Sequence, residues 1–137
     1  MGDGVFTAGI EGPATGPDGA LYVVNIGKDG TVGRVNADGI AETFLTLPTD
    51  SVGNGIRFGA DGRMFIADYA GHNVLQVDPS TRAVTVFAHL PDAHQPNDIA
   101  RAPDGTLYAS DPDWARPDNG QLWRIDRDGT VHLLERG

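Results

Sequence analysis

Short runs of alternating apolar and polar residues, separated by turn residues, fill this chain of 137 residues. In the middle of the chain the runs occupy positions 55–58, 63–67, 73–77 and 83–88. Their length, and the Gly, Asp and Pro residues between them, predict four short antiparallel strands. No window of about 12 residues shows sustained helical periodicity. The pattern therefore predicts an all-β protein.

The same pattern recurs before and after the middle unit at a step of 43 residues. The clearest marker is a Pro-Asp-Gly or Ala-Asp-Gly turn, found at 17–19, 60–62 and 103–105. A strand-like run follows each turn. Units of about 40–50 residues with several short strands are typical of β-propeller blades.

The repeat predicts one half-propeller domain, residues 1–137, with four-stranded antiparallel blades. The blades are expected at about 10–50, 51–93 and 94–137. Closed propellers typically have four to eight blades, so three units form an incomplete ring. An open antiparallel meander is the alternative. A run at 5–8 resembles the outermost strand of the second blade, and we expect it to pair with a neighbouring blade.

Composition excludes several classes of function. The chain has no cysteine, which rules out disulfides, a thiolate nucleophile and a zinc–thiolate site. Its net charge is −9, with 19 acidic and 10 basic residues, and this argues against nucleic acid or a membrane surface as partner. No apolar stretch approaches the roughly 20 residues that span a bilayer. The first residues lack the features of a signal peptide, so the expected location is cytoplasmic.

Three oxygen-bearing residues share one phase of the repeat: Glu11, Asn54 and Asn97, which we call the hub residues. Each lies just before the innermost strand of its blade. Equivalent positions in successive blades surround one axis, so these side chains are expected to converge. Carboxylate and amide oxygens suit a hard cation such as Ca²⁺. The alternative is that the asparagines cap turns and Glu11 binds backbone amides.

Other polar residues are candidates for the substrate side of this site. Asn25, Asp68 and Asp111 form a second set in phase, where ordinary turn chemistry is the simpler interpretation. Asp111 also opens a longer loop, 111–120, which carries Trp114 as either a substrate-facing aromatic or a loop anchor. His94 is the one histidine considered as an acid or base at the rim. We expect Asp111, Trp114, His94 and Asn54 to contact substrate.

Two stretches resemble a known family. Ile-Glu-Gly-Pro at 10–13, followed by Pro-Asp-Gly-Ala-Leu-Tyr at 17–22, resembles the opening of the gluconolactonase family, which includes senescence marker protein and luciferin-regenerating enzyme. Gln-Pro-Asn-Asp-Ile-Ala at 95–100, with Ser-Asp-Pro at 110–112, is similar to the stretch around the family's asparagine metal ligand. The resemblance covers the whole chain, but only about the first half of a family member.

The resemblance implies a six-bladed propeller with a divalent cation, usually Ca²⁺, at its hub, and hydrolysis of sugar-type or related lactones. It implies that Glu11 and Asn97 are metal ligands and that Asn54 lies near metal and substrate, so that all three take part in catalysis. The family's aspartate ligand comes from a later blade and has no match here. We expect a homodimer, or a second half from another chain, to complete the ring.

Two other functions remain open from the sequence. One is a non-catalytic binding module akin to NHL-type propellers, and the other is a propeller related to streptogramin lyases, whose repeats carry runs such as Gly-Arg-Val at 33–35. A binding module has no need of a hub carboxylate in phase with two asparagines. The lyase reaction requires a histidine and a glutamate from later blades.

Overall fold

The computed structural model describes residues 4–27 and 30–137. The strands follow one another along the chain, and their bounds are β1 Ile10–Thr15, β2 Leu21–Asn25, β3 Thr31–Val35, β4 Ala41–Thr46, β5 Gly53–Phe58, β6 Met64–Asp68, β7 Asn73–Val77, β8 Val84–His89, β9 Ile99–Arg101, β10 Leu107–Asp111, β11 Gln121–Ile125 and β12 Val131–Arg136. A 3₁₀ helix, Pro117–Asn119, lies in the loop between β10 and β11. Within the described ranges no helix is long and apolar enough to cross a membrane.

The strands form three antiparallel sheets, each with its strands paired in chain order: β1–β4, β5–β8 and β9–β12. These are three blades of a β-propeller, as the repeat predicted. The innermost strands are β1, β5 and β9, and the outermost are β4, β8 and β12. Apart from the run at 5–8, the predicted runs differ from the observed strands by no more than two residues at either end, because the turn residues between them limit where pairing begins.

The turns between the first two strands of each blade explain the recurring Asp-Gly pair. Gly19, Gly62 and Gly105 have φ angles of 76°, 83° and 94°, which lie in the left-handed region that glycine adopts most easily. The preceding aspartates each accept a hydrogen bond from the backbone N–H two residues later, as is usual for Asx turns. These pairs are Asp18–Ala20 at 3.1 Å, Asp61–Arg63 at 3.2 Å and Asp104–Thr106 at 2.9 Å.

Apolar side chains fill the space between successive blades, so the core lies between sheets. The first core joins blades 1 and 2 and includes Tyr22, Val24, Val32, Phe44, Ile56, Met64, Ile66 and Leu75. The second joins blades 2 and 3 and includes Ala67, Val74, Leu90, Ile99, Leu107, Trp123 and Ile125. Consecutive blades therefore stabilise each other, and the inner strands are held at fixed positions around the axis.

The expected strand at 5–8 is absent: residues 4–9 form turns and irregular structure. The segment lies on blade 1 itself, where the Asn25 side-chain amide donates to the Val5 carbonyl at 3.3 Å. Gly33 has no side chain, and the ring of Phe6 occupies the space that a Cβ would take there. This local packing replaces pairing with an outer strand of a neighbouring blade.

Candidate functional site

The inner strands come together at the backbone, next to the hub residues. The Gly55 N–H donates to the Asn97 carbonyl at 2.7 Å, which links β5 to the segment before β9. Gly12 faces the Asn54 carbonyl so closely that a Cβ at Gly12 would overlap its oxygen. A Cβ at Gly55 would lie 2.8 Å from the Asn97 carbonyl oxygen. Glycine directly after Glu11 and directly after Asn54 thus permits the close approach of neighbouring blades.

The ladder between the first two strands is irregular at the same phase. In blade 1 the register shifts between Glu11 and Ala14, and in blade 2 it shifts between Gly53 and Ile56. Such β-bulges redirect side chains and are frequent next to active sites. In blade 3 Asn97 precedes β9, and its N–H donates to the Ser110 carbonyl at 2.8 Å.

The hub side chains make no polar contacts with the rest of the described structure. Glu11 is exposed, and Asn54 and Asn97 are half-buried. Within residues 4–27 and 30–137, none of the three side chains forms a hydrogen bond or ion pair. This differs from the turn-capping role considered as the alternative, in which the side chains accept backbone N–H bonds. The structure therefore leaves one carboxylate and two amides at this phase of the repeat without a partner among the described residues.

Asp111 has a different place from the one expected for a substrate-binding residue. Its side chain is only 1% exposed. The carboxylate accepts from the backbone N–H groups of His94 at 2.9 Å and Gln95 at 2.6 Å, and from the indole N–H of Trp123 at 3.0 Å. Because its oxygens are engaged by protein donors, Asp111 acts on the structure around the site rather than on a ligand.

His94 is half-buried behind the long loop between β10 and β11. Its ring Nε2 is 3.0 Å from the side-chain nitrogen of Asn119 and 2.9 Å from that of Gln121. Both neighbours lie in or just after the loop, so the ring packs within blade 3. This environment favours a role in holding the loop over the acid–base role that was considered for His94.

Trp114 is presented to solvent by the loop between β10 and β11, with 67% of its surface exposed. The backbone N–H of Trp114 donates to the Gln95 side-chain oxygen at 3.1 Å. Asp113 caps the next turn of the loop, and hydrogen bonds from the Asn119 amide and from Arg116 lower the pKa of Asp113 to about 2. Trp114 and Asn97 line a groove of about 580 Å³, which connects the loop to the hub.

Two residues near the hub were missed by the sequence reasoning. Gln95 bridges two loops, since its side-chain nitrogen donates to the Tyr69 hydroxyl at 2.7 Å while its oxygen accepts from the loop that carries Trp114. Asp98 forms an ion pair with Arg57 of blade 2 at 3.2 Å. The repeat could have singled out Asp98, because glycine occupies the equivalent position in the first two blades.

A family model for the SMP-30/gluconolactonase/LRE-like region matches residues 10–137. The chain belongs to this family. This confirms the family that the motifs around Glu11 and Asn97 predicted. Among curated relatives, the gluconolactonase of Zymomonas mobilis subsp. mobilis (strain ATCC 31821 / ZM4 / CP4) is 29% identical over 98 residues, an alignment that covers 61% of this chain and 27% of the relative.

Several solved structures share the fold of this chain. The gluconolactonase XC5397 from Xanthomonas campestris superposes with a TM-score of 0.80 at 18% identity, over 97% of this chain and 49% of that one. The calcium-binding protein regucalcin from Agrobacterium tumefaciens str. C58 gives 0.75 at 22% identity, over 93% and 43%. Virginiamycin B lyase from Staphylococcus aureus gives 0.71 at 18% identity, over 93% and 41%. The chain thus spans less than half the length of each of these proteins, and the likeness at such identities concerns the fold.

Proposed function

We propose that this chain contributes the hub of a Ca²⁺-dependent hydrolase that opens sugar-type or related lactones. The observation that carries the proposal is the close backbone approach of the inner strands next to Glu11, Asn54 and Asn97, whose side chains have no partners within the described part of the chain. Membership of the gluconolactonase-like family supports the reaction class.

The hub donors fit a hard divalent cation in chemical type. Glu11 supplies a carboxylate, and Asn54 and Asn97 supply amide oxygens, which are the ligands that Ca²⁺ prefers. No group of three or more His, Cys, Asp or Glu residues suited to a metal lies within residues 4–27 and 30–137. The single hub carboxylate leaves positive charge to be balanced, so this proposal assigns the remaining oxygen ligands to water and to the blades that complete the ring.

A bound divalent cation would supply Lewis-acid activation of the lactone carbonyl. In this proposal Glu11 and Asn97 hold the cation, and Asn54 orients substrate or water beside it. The groove next to Asn97 receives the lactone ring, which lies against the exposed indole of Trp114. The general base is a carboxylate from the blades that complete the ring.

We further propose that a second copy of this chain, or the other half of a six-bladed ring from a different chain, completes the site. Three blades leave one sheet face open at each end of the array, and closure removes such open faces. Two copies related by a two-fold axis, the commonest symmetry of oligomers, would place a second Glu11 at the same axis. Light scattering after size-exclusion chromatography measures this directly, and a stable monomer with full activity would contradict ring closure.

The fold alone does not separate hydrolase from lyase, since virginiamycin B lyase has similar blades. A non-catalytic binding module is the other competing function. The hub carboxylate in phase with two asparagines favours the metal-dependent hydrolase over both.

The decisive experiment is Ca²⁺-dependent stabilisation followed by a lactonase assay. A cation at about 100 times its dissociation constant stabilises the folded state by about 2.7 kcal/mol, so Tm should rise by several degrees on Ca²⁺ addition. Glu11→Ala should abolish the rise, whereas Asp104→Ala, which removes an exposed turn carboxylate, should keep it. An identical response of wild type and Glu11→Ala to Ca²⁺ and EDTA would show that the hub does not bind the metal.

The assay then connects the metal to chemistry. Metal-stripped protein should release protons from a simple sugar lactone only after Ca²⁺ is restored, and Asn97→Ala should remain inactive. His94→Ala should retain most of the activity, because the ring is engaged within blade 3. Absence of hydrolysis across several lactones by the restored, ring-complete protein would favour the binding module.

A further inference from the structure

Two carboxylates are buried at equivalent positions, at the end of the second strand in blades 2 and 3. Asp68 is 0% exposed and Asp111 is 1% exposed. Burying an ionised carboxylate is costly unless several hydrogen-bond donors surround it. Ordinary turn chemistry was the simpler interpretation of these positions, with Asp111 also expected to contact substrate, but neither a surface turn residue nor an open substrate contact requires this degree of burial. The positions of the donors around these two carboxylates therefore show which backbone segments the carboxylates hold in place.

The donors come from the segments that lead into the inner strand of the same blade. Asp111 accepts from the N–H groups of His94, at 2.9 and 3.1 Å, and of Gln95, at 2.6 Å. Asp68 accepts from the Val52 N–H at 3.1 Å and from the Ser51 hydroxyl at 2.9 Å. Gln95 lies two residues before Asn97, and Val52 lies two residues before Asn54. Each buried carboxylate thus fixes the backbone just before a hub residue.

Each carboxylate also accepts hydrogen bonds from the third strand of its own blade or from the turn before that strand. Asp68 accepts from the Gly71 N–H at 2.9 Å and from the Asn73 side chain at 3.1 Å. Asp111 accepts from the Trp123 indole at 3.0 Å. The second and third strands of the blade are therefore joined to the segment that enters its inner strand. A rigid connection of this kind holds the following hub side chain at a set distance from the axis.

Blade 1 provides an internal comparison. The equivalent residue is Asn25, whose amide donates to the Val5 carbonyl at 3.3 Å and to the Thr31 hydroxyl at 3.1 Å. The neutral side chain is equally buried, at 1% exposure. An asparagine is therefore compatible with this place in a blade, and an Asp→Asn exchange at the other two positions preserves both shape and burial.

We propose that Asp111 and Asp68 are positioning residues for the hub, which act by fixing the backbone that carries Asn97 and Asn54. This inference rests on the proposed function, in which the hub binds a divalent cation. The carboxylates do not touch the cation or the substrate. Their effect passes through the backbone at 94–97 and 52–54, so losing one of them should loosen one hub residue and leave the other blades unchanged.

The test compares Asp111→Asn with Ile125→Val, which removes one methylene from the same blade's core without touching the carboxylate. In ¹H–¹⁵N spectra, Asp111→Asn should move the indole resonance of Trp123 and raise the exchange rates of the His94 and Gln95 amides at least tenfold relative to those of blade 1. Ile125→Val should change exchange uniformly. Unchanged protection at His94 and Gln95 in folded Asp111→Asn would overturn the proposal.

Ca²⁺ titration supplies the second measurement. Residues that orient metal ligands typically change affinity by about 10–100-fold when they are replaced, so the Ca²⁺ dissociation constant should rise by about that factor in Asp111→Asn, with a smaller rise in Asp68→Asn. Ile125→Val should bind as wild type does, and an Asp111→Asn affinity within twofold of wild type would overturn the positioning role. If the wild type itself fails to bind Ca²⁺, the metal site is refuted, and the amide exchange data still decide whether Asp111 fixes this segment.

Discussion

Replacing Gly12 with alanine tests whether the blades meet at the axis as closely as the structure shows. Gly12 has a φ angle of 55°, and its Cα faces the carbonyl of Asn54, where a Cβ would overlap the oxygen. An alanine in the left-handed region costs roughly 1–2 kcal/mol. The overlap involves a backbone atom that cannot rotate away, so the inner strands must separate, at a further cost of about 1–3 kcal/mol.

Gly19 is the matched control for this substitution. Its φ angle is 76°, and a Cβ there would meet no atom within 4 Å. Gly19→Ala therefore carries the backbone penalty of roughly 1–2 kcal/mol without the steric one. The difference between the two variants, about 1–3 kcal/mol, measures the contact between Gly12 and Asn54.

Urea denaturation at a fixed protein concentration measures both variants. The midpoint should fall clearly further for Gly12→Ala than for Gly19→Ala, with similar m-values, because the native state loses stability while the surface exposed on unfolding stays the same. The Ca²⁺ affinity should also fall in Gly12→Ala alone, since Glu11 and Asn54 are moved apart. Equal midpoints for the two variants would refute the close approach of β1 and β5.

Three further substitutions or conditions have defined outcomes. Leu75→Ala, in the core between blades 1 and 2, should cost about 2–5 kcal/mol in thermal or urea unfolding; a loss below 1 kcal/mol would mean that these sheets are not packed together. Arg82→Ala removes a hydrogen bond of 2.8 Å to the Phe44 carbonyl and a cation–π contact of 4.6 Å to its ring, and should cost about 1–2 kcal/mol, whereas Arg82→Lys should recover only part of it. The pKa of Asp113 is lowered to about 2, so the contribution of its carboxylate to loop stability is present above pH 4 and is lost as the pH falls toward 2. The backbone N–H of Ala115 donates to this carboxylate, and its NMR resonance should titrate with a midpoint near 2 rather than near 4.

Much of the fold was predictable because it depends on local chemistry. The Asp-Gly turns fix where hairpins reverse, and apolar alternation fixes which residues pair, so the three blades and their strands follow from the repeat. The segment at 5–8 was misassigned because its composition resembles a strand. Its conformation is decided by packing of Phe6 over Gly33, a contact between residues far apart in the chain.

Only those features of the site that follow from a residue's position within the repeat could be predicted. Phase places Glu11, Asn54 and Asn97 at the same height around one axis, and the structure brings their strands together. Phase also places Asp111 at the end of a strand, but it cannot show that the backbone of 94–95 and the indole of Trp123 surround its carboxylate. Gln95 was missed for a similar reason, since its two partners, Tyr69 and the Trp114 backbone, come from different loops.

The sequence by itself determined the blades, their turns and the family, and it singled out the candidate oxygen donors in phase with one another, because each of these is encoded by short motifs at a constant spacing. The tertiary structure decided which polar side chains are consumed by the protein and which remain free. That distinction depends on donors delivered by neighbouring strands and loops, whose distances from a carboxylate are set when the sheets pack. Asp111 and Glu11 are both acidic residues in phase with the repeat, yet one is enclosed by N–H groups and the other is exposed.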